Sequence, residues 1–201
     1  MIIRKQIPIL DLSEERFYRL REKSLVMSEI VVLVDEKDHP IGYEEKMRAH
    51  SDGGKLHRAF SIFIYNSKNQ MLLQLRSIEK HHFQSLWSNG CCSHPLKGEE
   101  LEKAAHRKLK QEFGFDTKLN EVFSFVYKAD DPKSGLTEHE FDHVFVGEYN
   151  GVPKPNPKEI DDWKWVTLTE LKHDLAKNPD SYTPWLKPAF DGLVQRNGIK
   201  L

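Results

Sequence analysis

The sequence predicts an α/β or α+β sandwich, in which the hairpins of a sheet pack against a few helices. Three observations carry this prediction: β-rich runs separated by turn residues, one charged segment with a helix-period apolar stripe, and two short helical patterns near the C-terminus. A chain of 201 residues can bury a complete core. We therefore expect a single domain over residues 1–201, with its core at about residues 27–175.

The first predicted element is a helix at about residues 11–24. Asp11 and Glu14 have the spacing of a capping box, which typically opens a helix. A β-rich run over residues 29–34 follows, and turn residues at 35–40 end it.

A hairpin is predicted where the β-rich runs 59–65 and 70–75 flank the turn sequence Asn66-Ser-Lys-Asn69. The mixed polar stretch before it, residues 46–57, is expected to be a loop because two adjacent glycines interrupt it.

An amphipathic helix is predicted over residues 99–113. Its apolar side chains recur every four positions, at Leu101, Ala105, Leu109 and Phe113. Gly114 is placed to end this helix, since glycine readily adopts the left-handed conformation of a C-cap.

The remaining sequence alternates between strand and helix patterns. Strands are predicted at 122–129, 138–149 and 163–168, and helices at 169–176 and about 185–196.

Composition argues against several classes of function. Thirty basic residues balance 31 acidic ones, which gives no reason to expect a nucleic-acid partner. No apolar run has membrane-spanning length, and the first residues lack a signal-peptide pattern, so we expect no membrane insertion. The two cysteines, Cys91 and Cys92, are adjacent and poorly placed for an ordinary disulfide, which favours a reducing cytoplasm.

Three clusters of reactive side chains stand out. His94 follows Cys92 by two residues, and a thiol can serve as nucleophile, acid/base or metal ligand. His50 and His57 flank two glycines, so both rings can face one centre, although a surface pair is the simpler interpretation of that spacing alone. Glu138 and Glu140 share one face of a predicted strand, which also fits a solvated strand end. Together the clusters supply three imidazoles and two carboxylates, a set that suits a divalent cation.

Read from Ser93, the helix segment is similar to a Nudix box, a loop and helix whose glutamates hold Mg²⁺ on a diphosphate. The matching positions are Glu99, Arg107, Leu109, Glu112, Gly114 and Phe115. Ser93, Lys108 and Gln111 depart from the pattern, and the last two replace carboxylates. A pyrophosphohydrolase needs those carboxylates to gather metal ions, so the departures argue against hydrolysis and leave the fold intact.

Several motifs, in this order, resemble those of the type 1 isopentenyl-diphosphate isomerases, which are Nudix-fold enzymes. The agreement covers about residues 27–190 and rests on four segments: Arg48 to His57, Asn89 to Pro95, Tyr127 to Pro132 and Thr137 to Glu140. Gly90 departs from the Thr or Ser expected there and removes no catalytic group. The resemblance implies a Nudix-type α/β/α sandwich with a mixed sheet and helical additions at both ends.

The same resemblance implies roles residue by residue. Cys92 and Glu140 would be the catalytic acid/base groups, and Tyr127 and Trp185 the active-site aromatics. The metal ligands would be His50, His57, His94, Glu138 and Glu140, and Glu112 would help to hold Mg²⁺ on the substrate. The diphosphate-binding cations would be Lys46, Arg76, Lys80 and Lys108. Cys91 has no catalytic counterpart and is interpreted as a small buried thiol.

The implied reaction converts isopentenyl diphosphate into dimethylallyl diphosphate, a step of isoprene biosynthesis, and either acid/base group could donate the first proton. The implied cofactors are Mg²⁺ on the substrate and one Zn²⁺, Mn²⁺ or Mg²⁺ at the His/Glu site. The diphosphate is the expected small-molecule partner, and we expect a monomer or weak homodimer. Two alternatives remain: a Nudix pyrophosphohydrolase of nucleoside diphosphate derivatives, and a non-enzymatic Nudix-fold binding module.

Overall fold

The computed structural model describes residues 29–196, so the helix predicted at 11–24 lies outside the described residues. The described strands join one mixed sheet and are β1 (Ile30–Val34), β2 (Pro40–Glu45), β3 (His57–Tyr65), β4 (Gln70–Arg76), β5 (Trp87–Ser88), β6 (Cys91–Ser93), β7 (Leu119–Asp130), β8 (Thr137–Glu148) and β9 (Ile160–Thr167). The described α-helices are α1 (Lys46–Ala49), α2 (Leu101–Phe113), α3 (Leu168–Lys177) and α4 (Leu186–Gln195), and a 3-10 turn spans Pro179–Ser181.

β3 is central to the sheet. It runs antiparallel to β1, β4 and β6. It runs parallel to β8, with which every residue of β3 is paired. β7 and β8 form a long antiparallel hairpin, and β9 pairs antiparallel with β4. The mixed sheet agrees with the fold predicted from the sequence.

The hairpin of β3 and β4 is open. The two strands pair at Tyr65 and Met71, next to the predicted turn. Farther from the turn the cysteine-bearing segment lies between them: β5 pairs with β4, and β6 pairs with β3 through Ser61 and Cys92. The open hairpin thus places the thiol of Cys92 in the middle of the sheet.

Side chains of successive strand residues alternate between the two faces of the sheet, so both faces carry apolar side chains. Helices cover each of these faces. On one face Phe60 and Ile62 pack with the stripe of α2, which ends at Phe113 as predicted. On the other face Phe63 packs with α3 and α4. The three layers confirm the α/β/α sandwich. Gly114 ends α2 in the left-handed conformation, at φ 70°.

The stretch predicted as a loop at 46–57 needs one correction, because it begins with helix α1. The carboxylate of Glu45 accepts hydrogen bonds from the backbone N–H of Met47 at 3.1 Å and of Arg48 at 3.0 Å. This N-cap supplies partners that a first helical turn otherwise lacks, so a single turn forms before the glycines.

Among the described residues, none of the helices combines the length and apolar character that crossing a bilayer requires.

Candidate active site

A cavity of about 590 Å³ opens between β6, β8, the segment after β4 and the start of α4. Its volume falls within the range of small-molecule sites. Ten of the side chains predicted for the site line it: Lys46, Arg76, Lys80, Cys92, His94, Lys108, Tyr127, Glu138, Glu140 and Trp185. His50 and His57 are fully buried beside it, and Glu112 is buried next to Lys108.

The five predicted metal ligands form one buried cluster. The ligand atoms of His50, His57, His94, Glu138 and Glu140 all lie within 4.8 Å of one another. They come from the end of α1, the start of β3, the residue after β6 and the start of β8. In the sheet register His57 lies opposite Glu140, so the pairing of β3 with β8 sets part of this geometry.

The loop between the two N-terminal histidines approaches β8 very closely. Gly54 has φ +71°, and a Cβ there would lie 2.9 Å from the carbonyl oxygen of Thr137. Only glycine therefore fits without strain. The backbone N–H of Thr137 donates to the carbonyl of His50 at 2.8 Å, which holds His50 beside Glu138.

Backbone carbonyls orient two of the imidazoles toward the centre of the cluster. Nδ1 of His50 donates to the carbonyl of Lys46 at 2.7 Å, and Nδ1 of His57 donates to that of Lys55 at 2.8 Å. In the neutral ring each Nε2 then carries a lone pair. Such second contacts commonly fix the tautomer of metal-binding histidines.

The inward-facing atoms lie close together, and Nε2 of His94 is 2.8 Å from Oε1 of Glu140. Nε2 of His50 lies 3.0 Å from Oε2 of Glu138, yet neither atom completes a hydrogen bond. Nε2 of His57 lies 3.1 Å from Nε2 of His94. Facing lone pairs attract only when a proton or cation lies between them. The donor set of imidazole nitrogens and carboxylate oxygens therefore fits a divalent metal ion.

Burial and the neighbouring His57 hold the pKa of His94 well below its usual range. His94 is therefore neutral, which is the form that binds metals. Burial opposes protonation of His50, but the carboxylate of Glu138, 3.0 Å away, outweighs it and raises the pKa of His50.

The two carboxyls of the cluster differ in their protonation. Burial alone would raise the pKa of Glu138, but the close imidazole of His50 and the hydrogen bond from His82 hold it well below its usual range. Burial and the charge of Glu138 instead raise the pKa of Glu140. Pairs of titratable groups whose pKa values are pushed apart are typical of acid/base sites. Of the two carboxyls, Glu140 is therefore the more readily protonated.

Four polar side chains surround the thiol of Cys92, and the hydroxyl of Ser88 is the most distant at 3.8 Å. Sγ donates to Oδ1 of Asn89 at 3.0 Å and accepts from the indole Nε1–H of Trp185 at 3.1 Å. The hydroxyl of Ser61, which donates to Asp142 at 2.7 Å, lies 3.6 Å from the sulfur. Burial, with the charge of Asp142, raises the pKa of Cys92 to about 12. The group is therefore a protonated thiol at neutral pH.

Aromatic rings close the cavity. The hydroxyl of Tyr127 donates to Oε2 of Glu140 at 2.6 Å, and its ring centroid is 5.9 Å from that of Trp185. Phe83 meets Trp185 edge-on at 5.3 Å, and Arg76 lies 5.3 Å from its ring centroid. Trp185 is 2% exposed, so it packs in the protein interior as well as contacting the thiol.

The predicted diphosphate-binding cations have different surroundings. Lys46 pairs with Glu29 at 2.7 Å, and Lys80 pairs with Glu159. Nε of Arg76 donates to the carbonyl of Phe83 at 2.9 Å, and its Nη2 donates to that of His82 at 3.0 Å. Arg76 thus also fixes the backbone after β4.

Lys108 and Glu112 form a buried ion pair at 3.0 Å, and Lys80 lies 3.8 Å from the same carboxylate. Burial opposes ionisation of Glu112, but Lys80 and Lys108 lower its pKa. Glu112 therefore sits behind the lysines as an anion. Cys91 is completely buried, and burial with the charge of Glu112 raises its pKa well above the ordinary value.

Sequence reasoning missed three contributors to the site. His82 hydrogen-bonds to Glu138, Asn89 accepts from Cys92, and Asp142 anchors Ser61 beside the thiol. Asp142 lies two residues beyond Glu140 on the same strand face, which was a usable signal. His82 stands 56 residues from its partner in an irregular segment, where no spacing reveals it.

A family model described as "NUDIX domain" matches residues 55–186. The chain is 50% identical over 168 residues to "Isopentenyl-diphosphate Delta-isomerase 2" of Aromatoleum aromaticum, covering 84% of this chain and 88% of the relative. It is 46% identical over 172 residues to the isopentenyl-diphosphate Delta-isomerase of Halorhodospira halophila, covering 85% and 96% of the two chains.

Solved structures share the fold at low identity. The protein DR0079 of Deinococcus radiodurans superimposes with a TM-score of 0.65 at 20% identity, covering 80% of this chain and 97% of that one. A MutT protein of Methanosarcina mazei gives a TM-score of 0.60 at 16% identity, covering 72% and 96%. These likenesses concern the arrangement of helices and strands alone.

Proposed function

This chain belongs to the Nudix domain family and, within it, to the isopentenyl-diphosphate Delta-isomerases, and we propose that its cavity converts isopentenyl diphosphate into dimethylallyl diphosphate. One observation supports an acid/base mechanism for this reaction. A protonated thiol, Cys92, and a carboxyl with a raised pKa, Glu140, line the same cavity from strands on either side of β3.

The reaction needs one proton donor and one proton acceptor. Adding a proton to the terminal alkene carbon gives a tertiary carbocation at the neighbouring carbon, and loss of a proton from the next carbon forms the new double bond. Cys92 and Glu140 are suited to these two steps, in an order that the proposal leaves open. The rings of Trp185 and Tyr127 line the cavity together and would stabilise positive charge on the substrate through their π-faces.

The cluster of His50, His57, His94, Glu138 and Glu140 would hold one divalent cation, with Zn²⁺, Mn²⁺ or Mg²⁺ as candidates. When bound, the cation would fix the orientation of Glu140 and shift its protonation equilibrium. Tyr127 already holds the second oxygen of Glu140 and so limits its rotation.

The diphosphate does not react and serves as a handle. Lys46, Arg76, Lys80 and Lys108 line the cavity and would bind it, with Glu112 helping to retain Mg²⁺. Binding energy from this remote group can position the alkene between the acid and the base.

The proposal extends to the setting of the reaction. Both cysteines are free thiols, which suits the reducing cytoplasm. The product feeds isoprene biosynthesis, and the protein is proposed to act as a monomer or weak homodimer.

The test is to incubate the protein with isopentenyl diphosphate and Mg²⁺ and to follow dimethylallyl diphosphate by NMR. Cys92→Ala removes one proton-transfer group and should lower kcat by about 10²–10⁴-fold or more. The matched control is Cys91→Ala. The thiol of Cys91 faces Glu112 behind the cavity, so this variant should keep most of the turnover.

Full turnover by Cys92→Ala would contradict the assigned role of the thiol. Phosphate release from nucleoside diphosphate derivatives, without isomerisation, would instead support a pyrophosphohydrolase.

A further inference from the structure

We propose that His82 is a positioning residue, which holds Glu138 in the orientation needed for a divalent cation and ties it to the segment carrying Lys80. This inference rests on the proposal that the His/Glu cluster binds a metal ion. His82 is not one of the five clustered ligands, and it lies in the segment between β4 and β5, residues 77–86, which we name the β4–β5 loop.

The two oxygens of Glu138 have different partners. Oε2 faces Nε2 of His50 at 3.0 Å, on the inner side of the cluster. Oε1 is hydrogen-bonded to Nε2 of His82, whose ring centroid lies 5.1 Å from that of His50. His82 is 7% exposed, so water competes little for this bond. Oε2 of Glu138 is therefore left to bind a cation, while Oε1 is held by His82.

The β4–β5 loop presents His82 rigidly. Arg76 donates to the carbonyls of both His82 and Phe83, and the backbone N–H of Phe83 donates to Asp131 at 2.9 Å. Phe83 has φ 49°, a left-handed conformation that non-glycine residues adopt only when their surroundings impose it. The loop is thus fixed at His82 and Phe83, beside its contact with Glu138.

The same loop carries Lys80 into the cavity. A shift of His82 therefore moves both a metal-binding carboxylate and a cation proposed to bind the diphosphate. Outer partners of metal ligands typically contribute about 10–100-fold to metal affinity. We expect a contribution of this size from His82, without any direct bond to the metal.

The experiment measures Zn²⁺ affinity by competition with a chromophoric chelator, in the full-length protein. His82→Leu keeps the bulk but loses the N–H, and its affinity should fall about 10–100-fold. His82→Gln can place an amide N–H where Nε2 lies, and it should recover most of the affinity. His81→Leu is the matched control, since this exposed neighbour forms no bond to Glu138, and it should bind Zn²⁺ like the wild type.

Wild-type affinity in a folded His82→Leu protein would overturn the inference. If that variant does not fold, His82→Asn replaces it, because its shorter amide does not reach Glu138 and should bind more weakly than His82→Gln. Equal affinity of the Asn and Gln variants would also overturn it. His57→Ala is measured in parallel: if it binds Zn²⁺ like the wild type, the metal site itself is wrong, and otherwise only the role of His82 is at stake.

Discussion

Trp185 combines two contacts that substitutions can separate. Its indole N–H donates to the sulfur of Cys92, and its ring forms part of the cavity wall. A π-face stabilises a cationic transition state more than the neutral substrate, by about 0.5–2 kcal/mol. Loss of the ring should therefore lower kcat more than it raises KM.

We expect kcat to fall in the order wild type, Trp185→Phe, Trp185→Leu. Phenylalanine loses the N–H but keeps a weaker π-face, whereas leucine loses both. Steady-state kinetics with isopentenyl diphosphate, together with the Tm of each variant, make the measurement. Similar kcat values for the Phe and Leu variants at matched Tm would leave Trp185 with packing and the thiol contact alone.

Single residues were predictable where a motif or a strand face contained them. Glu138 and Glu140 share a face of β8, and the two glycines before His57 allow the close approach of Gly54 to Thr137. The contact of His82 with Glu138 was not predictable, because it joins an irregular segment to a strand 56 residues away. Such contacts depend on the tertiary fold and leave no local pattern.

At the scale of elements, the turn between β7 and β8 is fastened to the β4–β5 loop through Asp131. Its carboxylate accepts hydrogen bonds from the backbone N–H of Phe83 and Lys133 and from the hydroxyl of Ser134. Burial opposes ionisation, but these bonds outweigh it and lower the pKa of Asp131. Hydrogen bonds to charged groups contribute about 1.5–3 kcal/mol.

Asp131→Ala should lower the free energy of unfolding by about 2 kcal/mol at pH 7. Because the folded-state pKa is depressed, the stabilisation is complete above the unfolded-state pKa of about 3.9 and is lost as the pH falls through the folded-state pKa. Denaturant unfolding of both proteins between pH 7 and pH 3 measures this. The difference should shrink at the acid end, and a constant difference would assign the loss to packing.

Asp180→Ala is the control, since this exposed side chain lies on the 3-10 turn. Its stability should stay within about 0.5 kcal/mol of the wild type at every pH.

Elements were predictable when they were long enough to show a period. Helix α2 ends at Gly114 as predicted from its four-residue stripe, and the β3–β4 turn lies at Asn66 to Asn69. β5 and β6 have two and three residues, too few for any alternation, so the opening of the hairpin could not be foreseen. Their pairing is decided by β3 and β4 on either side.

For the whole molecule, the His/Glu cluster brings five polar groups into a buried centre. A ligand that binds only the folded state stabilises it by about 2.7 kcal/mol at a hundred times its Kd. For a chain of this size that corresponds to about 5–10 °C in Tm. Removal of metal with a chelator should lower Tm by this amount, and added Zn²⁺ or Mn²⁺ should restore it.

Calorimetry or a fluorescence melt provides the measurement. The metal-dependent increase should vanish in His57→Ala and persist in His173→Ala, whose exposed ring lies on α3. An increase that survives in His57→Ala would place the stabilising metal elsewhere.

The pairings of β3 with β6 and β8 set the distance between Cys92 and Glu140. Cys92 lies on β6 and Glu140 on β8, and both strands are hydrogen-bonded to β3. Neighbouring strands stand about 4.8 Å apart, a spacing that the backbone enforces and side chains barely alter. The span between the two side chains therefore changes in steps, through a shift in strand register or a different side chain, and hardly at all by gradual widening. In the proposed reaction the carbon skeleton of the substrate must match this span. The strand spacing thereby limits which carbons can gain and lose a proton.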